Sequence, residues 1–316
     1  MTGELICFDG AVYRMPNTLS WRVLRTGGVP CDAFSITCLY DGKLREVLPT
    51  AYRFAAYEGD TLVLRGVVDS WQAESGTEGL RLTLEGRGMA ALLLDNEAMP
   101  ADYQVATVED ILRDHVAPYG ITTAGMAALP AVSGFSVQSG SSEWKVLYEF
   151  TRYHGGVTPR FDREGRLWLT GWEDGRRTVI GESTPVTELV CRDRRYGVLS
   201  QVLVRDKTRQ AVTAVENGEF LRRGGQSRRV LTMPGRSSFQ TMRYSGQFQL
   251  DKSAAELLRV QVKLPILFFA FPGDLVELER TEWGRCGTFR VLESRVAADR
   301  QGGWTRLELG GVDTVI

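Results

Sequence analysis

The chain has 316 residues, 43% of them hydrophobic and 24% charged, with a formal net charge of −1. This is the composition of a globular protein long enough to bury its core without staples, which excludes intrinsic disorder. The near-zero charge excludes a surface that grips nucleic acid over its whole extent. Five cysteines (Cys7, Cys31, Cys38, Cys191 and Cys286) include no Cys-x-x-Cys pair. That pattern predicts buried thiols rather than a disulfide framework or a zinc site. The longest apolar run, Leu264 to Phe271, contains Pro265 and falls far short of the ~20 residues a membrane span needs. No stable membrane insertion is expected, and the absence of a signal-like N-terminus predicts synthesis in the cytoplasm.

Residues 1 to 94 read as β. Phe34, Ile36, Cys38 and Tyr40 alternate with less buried positions, and Asp41-Gly42 then predicts a turn. Leu62, Leu64 and Val67-Val68 predict another strand. Leu80, Leu82 and Leu84 alternate with Arg81, Thr83 and Glu85, and the polar stretch Glu74 to Gly79 makes these last two strands a hairpin. From 95 to 190 the pattern is α+β. Thr107 with Asp110 predicts a capped helix carrying Val108, Ile111, Leu112 and Val116, stopped by Pro118. A second helix starts at Ser141 or Ser142, shows Trp144, Leu147, Tyr148 and Thr151 on one face, and ends at Gly155-Gly156. A strand pair around Asp162 to Gly165 follows. From 191 to 316 strands return at Val198 to Val204, Leu275 to Leu278, Phe289 to Leu292 and Trp304 to Leu309. A helix capped by Ser253 and Glu256 is predicted to carry Leu257, Leu258 and Val260 to Val262. Residues 216 to 247 are rich in Gly, Arg and Ser with few strand formers, and read as a long excursion or a small inserted subdomain around 216 to 250.

Motifs for chemistry are sparse. His115 and His154 are the two histidines, each at a predicted helix end, where a cation suits the helix dipole. Neither sits in a metal or triad motif. Gly86-Arg87-Gly88-Met89-Ala90-Ala91 matches Gly-x-Gly-x-x-Ala, but its strand belongs to a hairpin and no alternating β-α units follow. It is read as a tight strand-to-helix turn with glycine in an unusual backbone conformation. Asp95 and Glu97 lie in one turn, too close to act across a cleft as glycosidase carboxylates, and read as a solvated loop. Catalytic, cofactor and metal residues are therefore expected to be absent. Between Arg192 and Arg243, twelve Lys or Arg face four Asp or Glu. This stretch reads as a solvated face, a protein interface or, third, a contact with passing nucleic acid.

Several segments are familiar in order. Leu84-Glu85-Gly86-Arg87-Gly88-Met89-Ala90-Ala91-Leu92-Leu93-Leu94-Asp95 resembles the segment that closes the first barrel of phage tail hub proteins. Ser142-Glu143-Trp144-Lys145-Val146-Leu147 resembles the Ser-x-Trp-x-x-Leu helix of the same family. Phe271-Pro272-Gly273-Asp274-Leu275-Val276 resembles its Pro-Gly-Asp-x-Val turn, and Gly287 to Val291 and Trp304 to Leu309 resemble its last two strands. The resemblance is to the late control gene D group, the baseplate hubs of contractile phage-like tails and the hub part of type VI secretion spikes.

The resemblance implies a mainly β chain with an α+β insertion. Two tube-like β-barrels (1–94 and 191–316) would flank a peripheral α+β domain (95–190), and a homotrimer would make a pseudo-six-fold ring. It implies a structural baseplate protein, not an enzyme, that joins a six-fold tail tube to a three-fold spike and lines the channel. The tube, the spike, tape measure and other baseplate proteins would be partners, with DNA only as cargo. Gly86, Arg87 and Gly88 would form the exit of the first barrel, and Pro272, Gly273 and Asp274 the turn of the second. The rival readings are a tail-associated cell-wall hydrolase and a monomeric tail-fibre adaptor or receptor-binding module.

Overall fold

Strand alternation governs the first ninety residues of the computed structural model, which describes residues 1–77, 79–208, 212–233, 238–280 and 287–314. The order is β1 (Thr2–Cys7), β2 (Val12–Arg14), β3 (Thr18–Thr26), β4 (Ala33–Leu39), α1 (Gly42–Val47), β5 (Ala51–Glu58), β6 (Thr61–Gly76), β7 (Gly79–Gly88) and α2 (Ala91–Asp95). In β4 the buried positions are Phe34, Ile36 and Cys38; in β7 they include Leu82 and Leu84. Asp41-Gly42 does not make a simple turn. The Asp41 carboxylate accepts from the Leu44 amide at 2.9 Å and caps α1, a short helix that buries Leu44.

The middle segment runs β8 (Ala101–Ala106), α3 (Val108–His115), β9 (Thr123–Met126), β10 (Val132–Val137), α4 (Glu143–Tyr148), β11 (Arg160–Phe161) and β12 (Leu167–Leu169). Thr107 and Asp110 form the expected capping box, and Ser142 caps α4. A π-helical turn, Glu149–His154, extends α4 to Gly155. The apolar faces of α3 and α4 meet through Ile111, Leu147 and Phe150, and the strand pair adds Leu167 and Leu169 to the same cluster.

The last segment is β13 (Arg177–Ile180), β14 (Glu188–Asp193), β15 (Gln201–Asp206), β16 (Val212–Glu216), α5 (Gly218–Arg222), β17 (Arg228–Met233), α6 (Phe239–Ala254), β18 (Leu258–Leu264), β19 (Leu275–Leu278), β20 (Gly287–Asp299) and β21 (Gly302–Gly311). The helix expected after Ser253 lies upstream. Ser253 is near the end of α6, where its hydroxyl donates to the Leu250 carbonyl. Glu256 pairs with Arg259 instead of closing a capping box. Val260, Val262 and Leu264 alternate with Arg259, Gln261 and Lys263, a period of two that β-branched residues stabilise as a strand. The sequence signal of α6 is faint because its buried face is built of small and polar residues (Thr241, Ser245, Gly246) beside Met242 and Leu250. A Cβ on Gly246 would lie 2.7 Å from Val215 and 2.9 Å from Val204, so glycine lets the helix settle onto the β16-β15-β17 sheet.

Thirteen strands form one sheet, with the path β14-β18-β21-β20-β3-β4-β7-β6-β5-β1-β2 and with β19 and β13 joined to β20. Two closed barrels were expected; these thirteen strands form one open, largely antiparallel sheet, the remaining described strands form three small sheets, and no barrel closes among the described residues. The halves join where β20 pairs with β3, from Glu293 opposite Thr26 to Ala298 opposite Trp21. Under the N-terminal half lie Leu5, Phe34, Phe54, Leu64 and Leu84, and Val296 of β20 enters this cluster. Under the other half lie Val260, Val262, Val276, Val291, Leu307 and Leu309.

Gly86 and Gly88 belong to β7, and neither has a left-handed backbone. The expected reason for glycine was conformational; the structure gives a steric one. A Cβ on Gly86 would come within 2.0 Å of the Val67 carbonyl oxygen and 2.6 Å of the Phe34 ring. Glycine lets β6 and the stacked rings of Phe34 and Phe54, 4.4 Å apart, close over one another. Gly86→Ala is predicted to destabilise the fold by about 1–3 kcal/mol through overpacking, read from the urea midpoint. An unchanged midpoint would refute this close approach.

Candidate assembly surface

The end of β7 at Arg87 and the Pro272 to Asp274 turn, both singled out by sequence, tie the middle segment to the sheet. Arg87 projects from β7 as a two-sided clamp. Its guanidinium donates to Asp69 (Nε to Oδ2 2.7 Å, Nη2 to Oδ1 2.9 Å) and to Asp95 (Nη1 to Oδ1 3.0 Å, Nη2 to Oδ2 2.5 Å). Asp69 is the extra residue of a bulge in β6, where the register slips between Val68 and Ser70. Asp95 closes α2. The hydrogen bonds from Arg87 hold the Asp95 carboxyl below its ordinary range. The same two carboxylates hold the guanidinium firmly protonated. Asp95 is therefore a structural acceptor, and Glu97 is another: it takes the Gly140 amide at 2.8 Å. Both are also exposed, in keeping with the solvated-loop reading.

Pro272, Gly273 and Asp274 form the turn that starts β19. The Asp274 amide donates to the Phe271 carbonyl at 2.9 Å, and the Asp274 carboxylate accepts from the amides of Phe271 (2.8 Å) and Arg176 (3.0 Å). Burial pushes the Asp274 carboxyl up, and those amides oppose the shift. Gly273 has φ +95°, and a Cβ there would meet Trp172 at 2.4 Å. Buried Arg290 donates to the carbonyls of Gly273 (3.0 Å) and Val312 (2.8 Å) and to Asp174 (2.8 Å). Arg160 lies over both Trp168 (5.2 Å) and Trp172 (4.6 Å). The turn thus clasps residues 172–176, where the middle segment re-enters the sheet.

Neither histidine is placed for catalysis. His115 is buried, with Nδ1 2.6 Å from Glu143 Oε2 and Nε2 3.1 Å from the Tyr103 hydroxyl, and Tyr119 donates to Glu143 at 3.0 Å. These contacts lock α3 to α4. His154 packs edge-on to Phe135, and burial lowers its pKa. Among the described residues no group of His, Cys, Asp and Glu is arranged to hold a metal ion, and no helix is long and apolar enough to cross a membrane. Cys7, Cys31 and Cys38 are free thiols. Cys286 lies outside the described residues.

The sequence reading missed the surfaces that are left open. The sheet path ends at β2 and β14, each paired on one side only. Val12 on β2 and Val190 on β14 are exposed. The tip of the β6–β7 hairpin is exposed from Asp69 to Thr77 and carries Trp71. Leu80, read as part of a half-buried alternation, is exposed there too. The run of polar residues around Trp71 was the available signal. Edges this open are templates for pairing with another chain.

No family model matches the chain. A stretch of 109 residues is 27% identical to baseplate hub protein gp44 of Escherichia phage Mu, covering 33% of this chain and 29% of that protein. The chain resembles the baseplate hub family. In structure it is similar to a tail protein from Neisseria meningitidis MC58, with a TM-score of 0.78 and 15% identity over 99% of this chain and 97% of that one. It is also similar to the 43 kDa tail protein of prophage MuSo2 from Shewanella oneidensis, with a TM-score of 0.76 and 15% identity over 100% and 99%. The fold is that of phage tail proteins over the full chain. All three relatives are tail or baseplate proteins by name. The curated relative is matched over less than a third of its length.

Two substitutions test the geometry. Gly273→Val should cost on the order of 1–3 kcal/mol by forcing a β-branched residue into a left-handed backbone against Trp172. The urea midpoint followed by tryptophan emission reads it, and no change would contradict the clasp. His154, with its folded pKa below the ordinary 6.5, binds its proton less readily than the unfolded chain does. Its contribution is complete above about pH 6.5 and is lost as pH falls below it. His154→Phe should therefore flatten the decline of Tm between about pH 7 and about pH 5. An unaltered slope would contradict a buried neutral ring.

Proposed function

We propose that the chain is the structural hub of a phage or phage-like tail baseplate, of the late control gene D type. Three copies form a ring with pseudo-six-fold symmetry, because each contributes two half-sheets of similar role. The ring joins a six-fold tail tube to a three-fold spike, contacts tape measure and other baseplate proteins, and lines a channel through which DNA passes as cargo. The chain is made in the bacterial cytoplasm and resides in the tail particle. Residues 1–94 and 191–316 serve as the ring-forming units, with 95–190 outside the ring and an insertion around 216–250. The turns at Gly86 to Gly88 and Pro272 to Asp274 hold the outer segment on the ring.

The observation that carries this reading is the open sheet whose main path ends in strands paired on one side only, β2 and β14. A sheet with two different free edges favours head-to-tail association, and such contacts generate rings when the rotation closes. Pairing β2 of one copy with β14 of the next covers both ends of the main path and joins two half-sheets per copy into one continuous wall, with β13 left as a side edge. The mechanism is shape and symmetry matching without turnover.

Light scattering with negative-stain imaging of the same peak tests the ring. The expected result is a mass about three times 35.2 kDa and a central hole. A chain that stays monomeric alone and when mixed with its tube and spike neighbours would overturn the reading.

A further inference from the structure

The two end strands of the main sheet path, β2 and β14, run in the same direction. The path holds eleven strands, ends included, and each pairs antiparallel with the next. Direction alternates along such a path, so an odd number of strands leaves its two ends parallel. Rotation about a ring axis carries one copy into the next without reversing its strands. The edges of neighbouring copies therefore meet as a parallel pair, whereas every pairing along the path within a copy is antiparallel.

Backbone and side chains agree with that direction. The Met15 amide donates to the Gly3 carbonyl (2.8 Å) and the Cys7 amide to the Ala11 carbonyl (2.9 Å), so the odd-numbered residues of β2 face β1. The N–H and C=O groups of Val12 and Arg14 then point to the open side. In β14 the Arg194 amide donates to the Leu257 carbonyl (2.8 Å), so the even-numbered residues face β18 and Leu189 points outward. Val12 and Arg14 expose their side chains, and Tyr13 between them packs on the cluster under the N-terminal half. Glu188 and Val190 expose theirs, and Leu189 between them packs on the cluster under the other half. An antiparallel junction would set Val12 or Arg14 opposite Leu189, turning the exposed face of one copy onto the buried face of the next. A parallel junction keeps the two faces continuous.

We propose that β2 of one copy pairs in parallel with β14 of the next, with Val12 beside Glu188, Tyr13 beside Leu189 and Arg14 beside Val190. The Leu189 amide donates to the Val12 carbonyl, and the Arg14 amide donates to the Leu189 carbonyl. This register keeps all three residues of β2 on β14. A shift that preserves the faces moves β2 by two residues. Towards the end of β14 it brings Arg14 beside Arg192, a like-charge pair. Towards the start it leaves one residue of β2 opposite β14. Tyr13 beside Leu189 runs the apolar cluster of one copy into that of the next. The inference rests on the ring reading and adds direction and register to it.

Cysteine pairs placed in the assembled full chain test the junction. Val12→Cys with Glu188→Cys, and Arg14→Cys with Val190→Cys, are side by side in the parallel register. Val12→Cys with Val190→Cys, and Arg14→Cys with Glu188→Cys, would be side by side in an antiparallel one. All four positions are exposed, so circular dichroism should match the parent, and single-cysteine variants control for the native thiols. After mild oxidation, non-reducing gels should show a ladder up to a covalent trimer for the first two pairs, several-fold stronger than for the other two. Arg14→Pro removes an amide that β1 does not use, so it should weaken association several-fold with the fold intact. The reverse ranking of the pairs would overturn the parallel junction. A trimer by light scattering that gives no ladder from any pair, or that Arg14→Pro leaves intact, would overturn it while the ring reading stands. Cross-linking of these positions to a tube or spike neighbour instead would overturn it by giving the edge to another protein. A parent chain that never associates, alone or with those neighbours, would remove the ring and this junction together.

Discussion

The pairing of β3 with β20 is the constraint on which the rest of the molecule depends. Without it the chain would hold two separate half-sheets, each with a further open edge. The joint is reinforced from inside the fold. Arg25 of β3, opposite Ser294 of β20, places Nη1 2.8 Å from Asp32 Oδ2, with only 7% of either side chain exposed. Asp32 also accepts the Thr26 amide at 2.8 Å, and its carbonyl takes the Gly88 amide at 2.9 Å. One buried carboxylate thus connects the joint, the loop after β3 and the end of β7. Burial pushes the Asp32 carboxyl up, and Arg25 pulls it back. Removing one member of such a pair strands the other without solvent, at a cost of about 3–5 kcal/mol.

With the sheet fixed, the middle segment is held by contacts of a different kind. Arg87 fastens α2 to a bulge in β6, and the Gly273 turn clasps residues 172–176 under Arg290. A third attachment is the turn at Gly165, where a Cβ would lie 2.4 Å from Met89. These are polar or close-packed contacts around a separate hydrophobic cluster. They orient a unit with its own core on the sheet, leaving the strand edges at β2 and β14 free for the role proposed for them.

Much of this was legible in the sequence where local physics decides structure. The capping box at Thr107, the cap at Ser142 and the hairpin after β6 followed from residue types at fixed spacings. The turn at Gly273 followed from the resemblance to a Pro-Gly-Asp-x-Val pattern, whereas its left-handed backbone is seen in the structure alone. The helix expected after Ser253 failed because a capping pattern outweighed the two-residue alternation of Val260, Val262 and Leu264. Helix α6 was missed because its buried face is small and polar, so its amphipathic signal is weak. Gly86 was read as a conformational glycine because crowding by Val67 and Phe34 comes from residues 19 and 52 positions away. Closed barrels were what the resemblance implied, and strand patterning by itself does not say where a sheet ends. The open edges at β2 and β14 are properties of the tertiary path alone.

Hydrogen exchange compared between the isolated chain and the assembled particle tests the central claim most directly. Amides of residues 12–14 in β2 and 188–193 in β14 that face no neighbour within the chain should exchange quickly in the monomer. They should become protected on assembly, while the β3–β20 joint is protected in both states. An oligomer in which both edges continue to exchange at the monomer rate would contradict the account, because its copies would be held together by something other than their sheet edges.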